Sequence, residues 1–201
     1  MEICEFPYIR DDSGILCFGG SQKWYRQKYR RLAGCGPTCA ANLAAFHRIG
    51  VSPDDMLPDG SPVYTFSHYL DLMDRLWEYV KPGLRGFPWR GRFQEKFLQY
   101  ASDCGTVLET DFLEGWTGQE APLSFVQEEA EAGRPLALLI LGHAEKTLDE
   151  ETWHWMTVVG YDPDDDSLII SNYGKKQRLP ASLVFTPGKD NDVHQISLSR
   201  A

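Results

Sequence analysis

The chain has 201 residues, 42% of them hydrophobic, which is long enough for one well-buried core. Its net charge of −9 argues against a phosphate-binding surface, so no nucleic-acid partner is expected. No stretch reaches the length of a membrane span, and Met1–Asp12 lacks the apolar run of a signal peptide, so no membrane partner is expected either.

The first thirty residues read as extended. Ile15-Leu16-Cys17-Phe18 is a short apolar strand stopped by Gly19-Gly20. Arg26, Lys28, Arg30 and Arg31 form the one basic cluster and read as a solvated segment, with steering of an acidic substrate as the alternative. A helix over about Gly36–Ile49 follows, stopped at Gly50, with Cys39, Leu43 and Phe46 at helical spacing. Pro37 suits its first turn, where a missing N–H costs nothing.

A second helix is predicted after the loop Ser52–Pro62, capped by Ser67, with Leu70, Met73, Trp77 and Val80 on one face. Pro82-Gly83 ends it, and a third helix covers Phe93–Ala101. The second half then changes period. Thr106–Leu108 reads as a strand and Leu123–Ala132 as a short acidic helix. Pro135–Leu141 is a continuous apolar run, as expected of a central strand covered on both faces. Trp153–Tyr161 and Ser167–Asn172 read as strands joined by the turn 162–166, and Lys175–Leu179 and Val193–Leu198 complete a sheet. Helices first and sheet second predict an α+β fold in one unit, 1–201, with a helical lobe over about 1–104 and a sheet lobe over about 105–201. Trp24, Trp77, Trp89 and Trp116 read as core or lobe-interface residues.

The chemistry begins at Gly34-Cys35-Gly36-Pro37. A thiol at a helix start feels the positive end of the helix dipole, which favours thiolate. The five cysteines (4, 17, 35, 39 and 104) are odd in number and scattered, which fits no disulfide framework and predicts a reducing, cytoplasmic setting. Cys35-x-x-x-Cys39 as half a zinc site lacks a second ligand pair, so no metal and no cofactor is expected.

A cysteine nucleophile needs a base and a group that orients the base. His47 is about three turns along the helix and out of reach of Cys35. His154 opens a strand. If residues 162–166 form the turn, each residue of that strand faces the residue whose number completes 328, and His154 and Asn172 become diagonal neighbours on one face. The plainer readings are Cys35 as a small buried hydrophobe, His154 packed between Trp153 and Trp155, and Asn172 as a turn former.

Cys-Gly-Pro-Thr opening a helix, His-Trp-x-x-Val-x-Gly-Tyr-Asp on a strand and Ser171-Asn172-Tyr173-Gly174 after the next strand resemble the papain-like cysteine peptidases. The chain is most similar there to the bacterial leader-processing peptidases and their stand-alone relatives. The likeness covers roughly residues 18–45 and 135–180. It implies a papain-like fold, with Cys35 as nucleophile, His154 as general base and acid, and Asn172 as the orienting residue. It also implies a glutamine that shares the oxyanion with the Cys35 N–H. Gln22 is preferred for that role, with Gln27 as the alternative, although Gln22 lies further before the cysteine than is usual in papains. Leader-processing enzymes usually carry Asp where this chain has Asn172, and many are fused to a transporter, so a free-standing activity is the expectation.

The function expected is hydrolysis of a peptide or amide substrate through an acyl-enzyme. An acyltransferase on the same triad and an inactive peptide-binding domain are the alternatives. The acidic loop Glu145–Glu151 reads as solvated surface; flanking the cleft, it would disfavour acidic substrates.

Overall fold

The computed structural model describes residues 5–83, 86–113 and 118–200. It is an α+β molecule with two sheets. The expectation of an extended first thirty residues holds only in part. Strands β1 (Tyr8–Arg10) and β2 (Leu16–Phe18) are followed by a 3-10 turn at Gln22–Trp24 and by a short helix α1 (Lys28–Ala33). The basic cluster is therefore partly structured: Arg30 bonds Asp74 and sits over Trp77, and Arg31 bonds the Tyr25 and Arg26 carbonyls.

The N-terminal half also carries strands that the sequence reading missed. β3 (Asp55–Met56) and β4 (Pro62–Thr65) join β1 and β2 in a four-stranded sheet of order β2-β1-β4-β3. β1 and β4 pair in parallel across a long stretch of sequence. Strands this short offer no period to read, and a parallel partner so distant leaves no hairpin signal.

Three longer helices follow the predicted order. α2 (Cys35–Phe46) is buried from Cys35 through Ala45. Its small side chains let neighbours close on every side, which an alanine-rich helix tolerates at no propensity cost. α3 (Phe66–Tyr79) turns Tyr69, Leu70, Leu72, Met73, Leu76 and Trp77 inward. Its N-cap position is Thr65 rather than Ser67, and the Thr65 hydroxyl bonds Asp54 instead of the helix amides. α4 (Arg90–Asp103) outruns its predicted span at both ends.

The second sheet has six strands in the order β5-β10-β6-β7-β8-β9, every adjacent pair antiparallel. Its strands are β5 (Leu108–Leu113), β6 (Leu136–Gly142), β7 (His154–Asp162), β8 (Ser167–Asn172), β9 (Lys175–Pro180) and β10 (Asp192–Arg200). β6 and β7 are central, and one face carries Ala137, Leu139, Trp155 and Ile196 against the helices α2, α3 and α4. The other face carries Leu138, Ile140, Met156, Val158 and Ile170 against α5 (Glu120–Glu131), α6 (Ala181–Val184) and Leu148. That double cover explains why β6 reads as an unbroken apolar run.

The β7–β8 hairpin departs from its predicted form twice, and the departures cancel. The turn has four residues, with Asp162 opposite Ser167, one fewer than expected. A β-bulge between Val158 and Gly160 then adds one residue to β7, so Thr157 faces Ser171 and Val158 faces Ile170. Beyond the bulge the register equals the predicted one, which returns His154 and Asn172 to one face. Without Val159 as the extra residue they would point to opposite faces.

Candidate active site

Cys35 is the first residue of α2, and the first helix amide with an intrahelical acceptor is Thr38 N–H, bonded to the Gly34 carbonyl. The amides of Cys35 and Gly36 thus belong to the helix end that must find partners elsewhere. Both are directed at the Cys35 sulfur, as is the N–H of Trp155 from β7. Trp155 is itself pinned: its indole N–H donates to the Phe87 carbonyl at 2.6 Å, and its ring stacks on Phe93 at 4.3 Å. One residue along the same strand, His154 lies 6% exposed.

The His154 Nε2–H donates to Asn172 Oδ1 at 2.8 Å. A carboxamide oxygen only accepts, so the proton on Nε2 leaves Nδ1 with its lone pair in the neutral ring. Cys35, His154, Asn172 and Gln22 line one cavity of about 10 Å³, about the space of a single water. Gln27, the alternative to Gln22, is exposed at the start of α1 and does not line it.

Gln22 is buried and donates one Nε2–H to the Arg31 carbonyl at 2.8 Å. Its long separation from Cys35 is occupied by α1, which folds back and supplies that carbonyl. Two backbone bonds deliver this segment to the sheet lobe: Phe18 N–H to the Gly174 carbonyl and Gly174 N–H to the Gly20 carbonyl, both 2.9 Å. Gly19 has φ +70°, and a Cβ there would collide with Ser171 Oγ.

Beneath the cavity lies a buried polar hub that the sequence reading missed. Asn42 Oδ1 accepts from the Gly20 N–H at 2.8 Å and the Tyr69 hydroxyl at 2.5 Å. Its Nδ2 donates to Thr157 Oγ1 at 3.0 Å and Ser171 Oγ at 3.4 Å. Asn42 is seven residues after Cys35, two turns along the same helix face, a polar residue in an otherwise apolar run that marks a position without naming what it meets. Cys39 joins the structural layer, donating its thiol to the Met156 carbonyl at 3.2 Å.

Tyr173 was also missed. With Gly174 it forms the two-residue β8–β9 turn, and both have positive φ, +51° and +77°. Asn-Gly is the usual choice there, and a bulky residue in this region is strained. In this conformation the Tyr173 ring stacks on His154, centroids 5.1 Å apart. Lys23 places its ammonium 4.4 Å from the centroid of the same ring.

Burial sets the electrostatics. It pushes the Cys35 thiol up, and the amides of Trp155, Gly36 and Cys35 offset this only in part. It pushes the His154 imidazole down, against the opposing bond to Asn172. The thiolate expected from the helix dipole alone is therefore outweighed by desolvation. Each isolated ion is disfavoured here, on the sulfur and on the imidazole alike.

Among the other sequence candidates, His47 ends α2 away from this cavity, and Trp77 is core. Trp24 is half-buried, and Trp89 is 48% exposed, contrary to a core assignment. Trp116 and Cys4 lie outside the described residues; Cys17, Cys35, Cys39 and Cys104 are free thiols. No helix among the described residues is long and apolar enough to cross a membrane. No family model matches the chain, and no curated protein matches it.

Proposed function

We propose that this protein is a cysteine peptidase, or a closely related thiol hydrolase, of the papain-like type. The observation that carries the reading is the bond from His154 Nε2 to Asn172 Oδ1 beside the cavity that Cys35 and Gln22 share. That bond leaves Nδ1 as the nitrogen available to the thiol.

In this reading the Cys35 proton passes to His154 Nδ1 as sulfur attacks the carbonyl carbon of a peptide or amide. The carbonyl electrons move onto oxygen, where the Cys35 N–H and the second Nε2–H of Gln22 receive the charge. Collapse of the tetrahedral intermediate expels the amine, which takes the proton from His154. Water then adds to the thioester with His154 as base, releasing the acid and restoring the thiol. Asn172 holds the imidazole in one tautomer and one orientation throughout. The neutral resting pair suits this sequence, because charge appears only as the carbonyl is attacked.

Alkylation with iodoacetamide across pH, mapped by mass spectrometry, tests the pair. Cys35 is expected to react near neutral pH faster than the exposed Cys104. His154→Ala should move the Cys35 profile to alkaline pH, because only the burial-raised thiol then remains. Equal rates at Cys35 and Cys104 in the native protein would sink the nucleophile assignment. Product analysis with an added amine separates hydrolysis from acyl transfer.

A further inference from the structure

The cavity at the nucleophile opens beside a larger cleft of about 660 Å³, within the usual size of ligand sites. The cleft is lined by Ser21, Lys23 and Trp24, by Glu150 and Glu151, and by Asn172, Tyr173, Lys175 and Gln177. It shares Asn172 and Tyr173 with the inner cavity, and no residue of α2 lines it. From Cys35 it is therefore reached past Asn172 and Tyr173, the residues bonded to and stacked on His154. On the mechanism proposed above, the group next to His154 is the departing amine, so the cleft lies on the leaving side of the scissile bond.

Its charges are arranged unevenly. The Lys23 ammonium is already seated over the Tyr173 ring, a cation on an aromatic face within the cleft wall. Glu150 and Glu151 end the 3-10 helix Lys146–Glu151, which replaces the expected loop, and make no ion pair with another of the described residues. Glu150 and Glu151 line the same cleft as the Tyr173 ring. Burial and the Glu150 charge push the Glu151 carboxyl up, and burial, then the Cys35 sulfur and the two carboxylates, push the Tyr173 phenol up. Lys175, at the start of β9, is exposed.

We propose that this cleft binds the leaving segment of a peptide substrate and selects a lysine or arginine side chain there. The incoming cation displaces Lys23 from the Tyr173 ring and meets Glu150 and Glu151. Lys23 is in this sense the resident occupant of a cation site built from an aromatic ring and two carboxylates. The inference rests on the peptidase reading and deepens it by naming the substrate class.

The test is digestion of a chymotryptic proteome-derived peptide library with the whole chain, the new N-termini being identified by mass spectrometry. Lys and Arg are expected over Asp and Glu by about tenfold at the first or second leaving position, the scale of a like-charge penalty against a charge pair. Glu150→Gln with Glu151→Gln should bring the ratio near parity, and Lys23→Gln should increase it. The iodoacetamide rate at Cys35 should be unchanged in these variants, showing that the reaction centre is intact. Cleavage without the preference, or a preference that survives the double variant, overturns the inference while leaving the peptidase reading standing. No cleavage of any peptide by a protein with a reactive Cys35 overturns the peptidase reading and this one with it.

Discussion

Gln22 and Gln27 are chemically identical and five positions apart, yet only one is held. Gln22 is buried at the cavity with one N–H on the Arg31 carbonyl, and Gln27 is exposed. Gln22→Ala should lower kcat by roughly 10²–10³ with little change in KM, the loss typical of one oxyanion donor. Gln27→Ala should leave both constants unchanged, and steady-state kinetics on a peptide cleaved by the native protein checks the pair. At this scale the sequence was informative where chemistry demands a residue type. Cys35, His154 and Asn172 could be named because a thiol needs a base and the base needs an acceptor. Asn42 and Tyr173 could not, because their roles follow from what surrounds them. A lone Asn in an alanine-rich helix and a Tyr before a turn glycine become meaningful only when Gly20, Tyr69, Thr157, Ser171 and His154 are brought to them.

Among the elements, α2 packs on the sheet, bonds β7 through Cys39, and through Asn42 ties β7, β8, α3 and the Gly20 loop to one side chain. Replacing Asn42 with Ala would strand the Gly20 N–H and the Tyr69 hydroxyl, while the Thr157 and Ser171 hydroxyls keep their bonds to the Cys39 sulfur and the Phe18 carbonyl. The expected loss is about 3 kcal/mol, the order of one or two buried polar groups left unpaired, read from the urea midpoint. A slower reaction of Cys35 should accompany it, since Gly20 also lines the cavity. Element existence was largely legible for α2, α3, α4, β6–β8 and β10, whose apolar positions run long enough to read, whereas polar β9 was placed only by the turn before it. The small sheet was not, because β3 and β4 are two and four residues long and their pairing is non-local. The β7–β8 register shows a subtler limit. A turn one residue shorter and a bulge one residue longer give the same facing of His154 and Asn172, so a sequence argument can reach the right neighbours through the wrong path.

For the whole molecule, the acid side of stability depends on a histidine outside the site. His47 ends α2, 8% exposed, and burial followed by the nearby Arg200 guanidinium pushes its imidazole down to about 4. Its folded value lies below the unfolded 6.5, so the unfolded chain takes up a proton that the folded one refuses. Stability is fully present above pH 6.5 and is lost as pH falls toward 4, by about 3 kcal/mol for a shift of this size. His47→Gln should flatten the dependence of the urea midpoint on pH in that window. An unchanged slope would assign the acid sensitivity to other groups.

The bonds from Phe18 and Gly20 to Gly174, and from Ser171 to the Phe18 carbonyl, close loops of some 150 residues. Long closures of this kind form late in folding. During synthesis Cys35 emerges early, yet His154, Asn172 and the turn that anchors Phe18 and Gly20 lie beyond residue 150. On the proposed mechanism, the nascent chain therefore carries an unarmed thiol until the β8–β9 turn has left the ribosome. Reactivity at Cys35 would be a clock for completed folding, and any truncation before Gly174 should leave a soluble or aggregated chain with an ordinary cysteine in place of the nucleophile.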